Sequence, residues 1–211
     1  SKLFIKKKLK SILKNRTKIE SIVFSSVVPE IYRQFSFFFK SKINKKIIEI
    51  KSLRLNKLIN IKVNKKQVGS DRLANAISVC QNNKNYIILD FGTATTFDVV
   101  VKKDYLGGII APGVNLSLQT LITNASLISN VNLSKIKSVI GKNTSSAVKS
   151  GFYWGYAGLI DSLINLITKD TKKKYNIILT GGLAHLFKSS IKVRSTVDKD
   201  LTIKGLIKLI N

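Results

Sequence analysis

A chain of 211 residues with 44% hydrophobic content can bury a proper core as one or two domains, and no stretch approaches the 18 consecutive apolar residues of a membrane-spanning helix. A single cysteine, Cys80, rules out an intrachain disulfide and fits a reducing compartment, so a cytoplasmic protein is expected. The formal charge of +26 invites a nucleic-acid or membrane-surface role, but only five of the 37 cations are arginines (Arg16, Arg33, Arg54, Arg72 and Arg194). The lysines are scattered and no aromatic residues interleave a basic stripe, so salt-sensitive sticking to polyanions is expected and a dedicated nucleic-acid site is not.

In chain order, Leu3, Ile5, Leu9, Ile12 and Leu13 recur at near-helical spacing and predict a basic surface helix over residues 1–20, not a membrane anchor. Ser21–Val28 reads as a strand closed by Pro29, Ile31–Phe39 as a helix whose Phe35, Phe37, Phe38 and Phe39 belong to the core, and Ile47–Ile50 as the next strand. After a polar loop to Lys66, Val68-Gly69-Ser70-Asp71-Arg72 opens a helix with Leu73, Ala76, Ile77 and Cys80 facing inward. A domain boundary is expected near Asn82–Asn85, giving segments 1–84 and 85–211.

The stretch from Tyr86 to Gly113 carries the chemistry. Tyr86-Ile87-Ile88-Leu89 is too short for a helix and ends on Asp90, followed by Phe91-Gly92-Thr93-Ala94-Thr95-Thr96: a buried strand that turns sharply. Thr95–Val101 and Tyr105–Ile110 read as two further strands joined by a Lys102-Lys103-Asp104 turn. A turn of Gly and Thr leaves backbone N–H groups and hydroxyls free to meet a phosphate, and Asp90 beside it suits a cation that offsets phosphate charge. Asp90 and Asp98 are two of only 11 acids, and both interrupt apolar strands where an unpaired carboxylate is costly. Asp90 therefore reads as functional, while Asp98 is evenly balanced between function and structure.

Downstream, a helix after Gly113 carries Leu116, Leu118, Leu121 and Ile122, and Gly141-Lys142-Asn143-Thr144 leads into a long helix, Ser145–Thr168, with Trp154 and Tyr156 as core or interface residues. Asn176–Leu179 is a strand ending in Thr180-Gly181-Gly182, where absent side chains let a ligand approach the backbone. His185, the only histidine, lies on an apolar patch with no metal-ligand spacing, so it reads as structural and no zinc site is expected. Leu201–Ile210 is the closing helix, and no Gly-x-x-x-x-Gly-Lys-Ser/Thr loop is present.

Six blocks together resemble the type III pantothenate kinases, a branch of the actin-like ATPase superfamily: Ser25–Pro29, Val68–Arg72, Asp90–Thr96, Gly107–Gly113, Gly141–Thr144 and Thr180–Gly182, in the family's order at about its spacing. The resemblance implies an α/β, ribonuclease H-like fold of two similar half-domains, and ATP-dependent phosphorylation of pantothenate by a homodimer. It makes Asp71 the proton acceptor, places Gly69, Ser70, Arg72 and Thr144 on pantothenate and Thr93, Gly181 and Gly182 on ATP, and gives Asp90 a monovalent cation, potassium or ammonium, with magnesium accompanying ATP. Read without the resemblance, Ser70 or Asp71 is a helix N-cap and Thr144 another.

Three departures qualify this expectation. The family's Asp-Ile-Gly-Asn-Thr loop is not found, and Ser1 stands where an initiator Met would, so the resemblance implies that the first half is truncated by about forty residues, judged from typical βαβ-unit sizes. Lys62 stands where the family has a Tyr, and Ser70 where it more often has Ala. A non-catalytic relative that assists transcription and a basic nucleic-acid-binding module are the competing readings.

Overall fold

Strands β1 (Ile22–Phe24) and β2 (Ile47–Glu49) pair in parallel around helix α1 (Pro29–Ile43) in a computed structural model that describes residues 19–26, 28–45, 47–80, 83–128 and 131–210. The basic helix expected over residues 1–20 falls on 1–18, outside the described residues. Pro29 sits in the first turn of α1, where its missing N–H is no loss, and Asn44 ends the helix in the left-handed region at φ 56°. Phe24 packs on Phe35 at 5.2 Å between ring centroids and Phe39 is buried, but Phe37 points outward at 78% exposure. Four phenylalanines within five positions cannot share one helix face, which is why the sequence expectation fails for Phe37.

A six-stranded sheet in the order β3-β6-β5-β4-β7-β8 is built from β3 (Asn60–Ile61), β4 (Asn85–Phe91), β5 (Ala94–Val101), β6 (Asp104–Pro112), β7 (Asn176–Gly181) and β8 (Ser195–Val197). β4, β5 and β6 are antiparallel neighbours, while β7 runs parallel to β4 and β8 to β7. β3 lies in the stretch expected to be loop, and it pairs in parallel with the outer edge of β6.

The pleat sorts the sheet's residues between two cores. Ile87, Leu89, Phe91, Phe97, Val99, Ile177 and Leu179 face α4 (Thr144–Thr171), whose Tyr153, Ala157, Ile160 and Ile164 complete that cluster. Tyr86, Ile88, Val100 and Tyr105 face the other way, onto α2 (Ser70–Val79) with its Leu73, Ala76 and Ile77. Helix α3 (Val114–Asn124) buries Val114 and Leu118, whereas Leu116 and Leu121 of the expected stripe are exposed. The short α5 (Ala184–Phe187) buries Ala184 and Phe187 and leaves His185 exposed, correcting its placement on an apolar patch.

α6 (Leu201–Ile207) closes the fold by lying directly on α2. Gly205 makes this possible, since a Cβ there would fall 1.8 Å from the carbonyl oxygen of Ala74. Lys208 adds a hydrogen bond from Nζ to the carbonyl of Ser78 at 2.7 Å, satisfying an acceptor near the C-terminal end of α2.

Candidate active site

On the α2 face of the sheet, the apolar pattern is broken by Asp90 and Asp98. The register sets Asp90 between Thr96 and Thr180, and Asp98 between Ile88 and Gly108. Both carboxylates therefore emerge on the side that α2 covers, one strand apart.

α2 begins with Gly69 as its N-cap, and no side chain caps it, so the reading of Ser70 or Asp71 as a cap does not hold. Ser70 is buried and donates its hydroxyl to Glu49 Oε1 at 2.6 Å, tying the helix start to β2. Asp71, in the first turn, accepts one hydrogen bond on Oδ1, from the N–H of Arg72 at 2.8 Å. Its Oδ2 has no hydrogen bond among the described residues. The helix macrodipole favours a carboxylate at this position.

Arg72 turns back over the sheet. Its Nε donates to Asp98 Oδ1 at 2.8 Å and its Nη2 lies 2.7 Å from the same oxygen, while the hydroxyl of Tyr105 donates to that oxygen at 2.6 Å. Asp98 is fully buried, so the even balance between function and structure resolves toward a residue that holds Arg72. A Cβ on Gly108 would fall 2.7 Å from Arg72 Nη2 and 1.8 Å from the carbonyl oxygen of Phe97, so this glycine makes the lane in which the guanidinium lies. Among the described residues Nη1 makes no hydrogen bond.

Tyr105 reaches Asp98 through a β-bulge. The register slips between Val99 and Val100, so that Gly107 opposes Val99 but Tyr105 opposes Val100. Gly107 adopts φ 113°, a conformation suited to glycine, and the slip sends Tyr105 inward in place of Leu106, which is left exposed.

Burial pushes the Asp98 carboxyl up to about 6 against the opposing pull of Arg72 and the hydrogen bonds, and Asp71's charge pushes the same way as burial. An acid whose native pKa lies above its unfolded value holds its proton more tightly when folded. The stability it contributes is therefore full below the unfolded value, near 4, and is lost as pH rises through about 6. We expect the wild type to lose stability relative to Asp98→Asn across this window in urea denaturation. The asparagine keeps an acceptor for Arg72 and Tyr105 without titrating, and equal pH dependence of the two proteins would contradict the assignment.

Asp90, half-buried, is held by Asn75. The Asn75 side-chain amide donates to Asp90 Oδ2 at 3.0 Å, and its own Oδ1 accepts from the hydroxyl of Thr202 at 2.7 Å. Burial raises the Asp90 carboxyl above the usual carboxylate range, the Asn75 hydrogen bond opposes this, and Asp71's charge adds to it. Asp71 thus acts on both Asp90 and Asp98, while the Arg72 guanidinium pairs with Asp98.

Among the described residues Asp90 Oδ1 makes no hydrogen bond, and it lies between two glycine turns. A Cβ on Gly181, which adopts φ 84°, would fall 2.6 Å from it, and one on Gly92 would fall 4.0 Å away. Gly182 donates its N–H to the carbonyl of Phe91 at 3.2 Å, holding the two turns together. The Gly92 N–H is taken by the carbonyl of Ala94, so the turn offers fewer free amides than expected. Thr93 is exposed at its tip, with its carbonyl closely covered by Gly113.

The structure thus gathers Gly69, Asp71, Arg72, Asp90, Gly181 and Gly182, with Thr93 three residues past Asp90, and commits Ser70 to Glu49. Thr144 opens α4 in an exposed position without a hydrogen bond to the Asp71–Arg72 pair; the capping side chain there is Asn143, which accepts from the N–H of Ser146. Lys62 points to the hairpin, its Nζ 3.6 Å from Asp104.

Sequence reasoning missed Asn75, Thr202 and Tyr105. Asn75 follows Asp71 by four residues, and that i, i+4 spacing of two polar residues on one helix face was the available signal.

The sequence profile of the type III pantothenate kinases matches residues 4–166. The chain belongs to the type III pantothenate kinase family. It is 59% identical over 196 residues to a type III pantothenate kinase from Pelagibacter ubique, covering 93% of this chain and 79% of that protein. A type III pantothenate kinase from Rhodospirillum rubrum is 46% identical over 143 residues, covering 67% of this chain, which spans 56% of that relative's length. Among solved structures, one described as a Baf family transcriptional activator from Campylobacter jejuni aligns with a TM-score of 0.57 and 20% identity over 96% of this chain and 86% of its own. Family membership and this alignment identify the mixed α/β architecture as the actin-like ATPase fold, and among the described residues no helix is long and apolar enough to cross a membrane.

Proposed function

We propose that the protein carrying this chain phosphorylates pantothenate at its terminal hydroxyl with ATP. The observation that supports this reading most directly is Asp71: a carboxylate in a helix first turn, with one oxygen unengaged, in the electrostatic reach of both Asp90 and Asp98. Asp71 accepts the proton of the pantothenate alcohol as its oxygen attacks the γ-phosphorus and ADP leaves. Phosphoryl transfer needs little covalent chemistry from the protein, so positioning and charge neutralisation carry the rate.

Arg72, locked by Asp98, presents Nη1 to the pantothenate carboxylate, and Gly69 keeps the helix start open for substrate. Thr144 contacts pantothenate through an arrangement that a second copy of the chain completes, in keeping with a homodimer. Thr93 and the Gly181–Gly182 bend receive the nucleotide. Asp90 Oδ1, a hard oxygen without a hydrogen bond in a region that resists bare negative charge, fits a monovalent cation such as potassium or ammonium, with magnesium accompanying ATP. When bound, such a cation offsets phosphate charge. The segments 1–84 and 85–211 correspond to two half-domains around this site, and the protein works in the cytoplasm.

The test is pantothenate-dependent release of ADP by the full-length protein, followed by mass detection of phosphopantothenate. ATP binding without pantothenate-dependent turnover would favour a non-catalytic relative instead.

A further inference from the structure

The polar contacts around Asp90 run in one direction. Thr202 on α6 donates its hydroxyl to Asn75 Oδ1, and Asn75 on α2 donates its amide to Asp90 Oδ2 on β4. Asn75 is fully buried, so its amide has no water to turn to. An ionised carboxylate only accepts hydrogen bonds, so the nitrogen end of the amide must face Asp90 and the oxygen end must find a donor elsewhere. Thr202 is that donor.

We propose that Thr202 and Asn75 are positioning residues for Asp90, acting through the C-terminal helix to engage Oδ2 and present Oδ1 at the junction of the Gly92 and Gly181 turns. A carboxylate held at one oxygen has its other oxygen fixed in space, and here the second oxygen is the one against the glycine bend that the proposed function gives to the nucleotide. The inference rests on that reading for the identity of the ligand but not for the geometry of the relay.

The alternative is that α6 merely braces α2. Two contacts brace it without touching the relay: Gly205 against Ala74, and Lys208 on the Ser78 carbonyl. This separates the two roles experimentally.

In the full-length protein, Thr202→Val removes the donor and keeps the shape. We expect weaker ATP binding by calorimetry and a higher KM for ATP, each by about 2- to 10-fold as befits one buried hydrogen bond, with the KM for pantothenate unchanged. Thr202→Ser, which restores a hydroxyl, should return both to wild-type values. Lys208→Met should lower the melting temperature and leave ATP affinity unchanged. Unaltered ATP affinity in Thr202→Val, or equal weakening in Lys208→Met, would overturn the proposal. A wild type that binds ATP but does not phosphorylate pantothenate would overturn the functional reading alone, since the calorimetric comparison still reports on the relay.

Discussion

Asp71→Asn in the full-length protein is expected to lower pantothenate-dependent ADP release by about 10²- to 10⁴-fold, the usual worth of a positioned general base. The substitution is close to ideal for isolating that role. The one hydrogen bond that the carboxylate makes is accepted from the neighbouring N–H, and an asparagine oxygen can accept it equally well. Stability should therefore change by no more than about 1 kcal/mol, the worth of a charge at a helix N-terminus, and ATP should still bind. The expected signature is a collapse of kcat with the fold and nucleotide affinity intact. If the asparagine protein turns over like the wild type, Asp71 is not the base and the catalytic reading fails.

The second large effect is thermodynamic. Asp98→Ala should cost about 3–5 kcal/mol in urea denaturation, the typical price of removing one partner from a buried ion pair. Arg72 would be left with a charge in a lane only 12% exposed, and Tyr105 would lose its acceptor. Replacing both partners, Arg72→Met with Asp98→Leu, should recover much of that loss, because a buried pair exchanged for apolar groups of similar volume is often neutral or better. The double variant should remain unable to bind pantothenate tightly. Recovered stability without recovered affinity would identify the pair as a device for aiming the guanidinium. Full activity in the double variant would remove Arg72 from the substrate site.

Much of the architecture was legible because the sheet imposes a strict alternation. Two acids in otherwise apolar strands were conspicuous, and the register places them on the same side, under the helix that carries Asp71. What could not be read were features that break the period. Tyr105 reaches Asp98 only because the chain gains a residue at the Gly107 bulge, and no pattern count anticipates a change of parity. Asn75 escaped because α2's inward face was read from its apolar members, although a helix buried on most sides also carries its polar contacts inward. Phe37 was assigned to the core on hydrophobicity alone, and it is exposed. His185 went wrong for the opposite reason, a polar residue judged by its apolar neighbours.

The backbone contact between Gly205 and Ala74 joins segments separated by most of the chain. During synthesis, β4, β5 and β6 leave the ribosome before Thr202, the partner of Asn75, is translated. Asp90 then waits without its relay until α6 emerges. A nascent chain of this kind holds nucleotide more weakly until α6 docks, so products stalled before Thr202 would sequester less ATP in the cell.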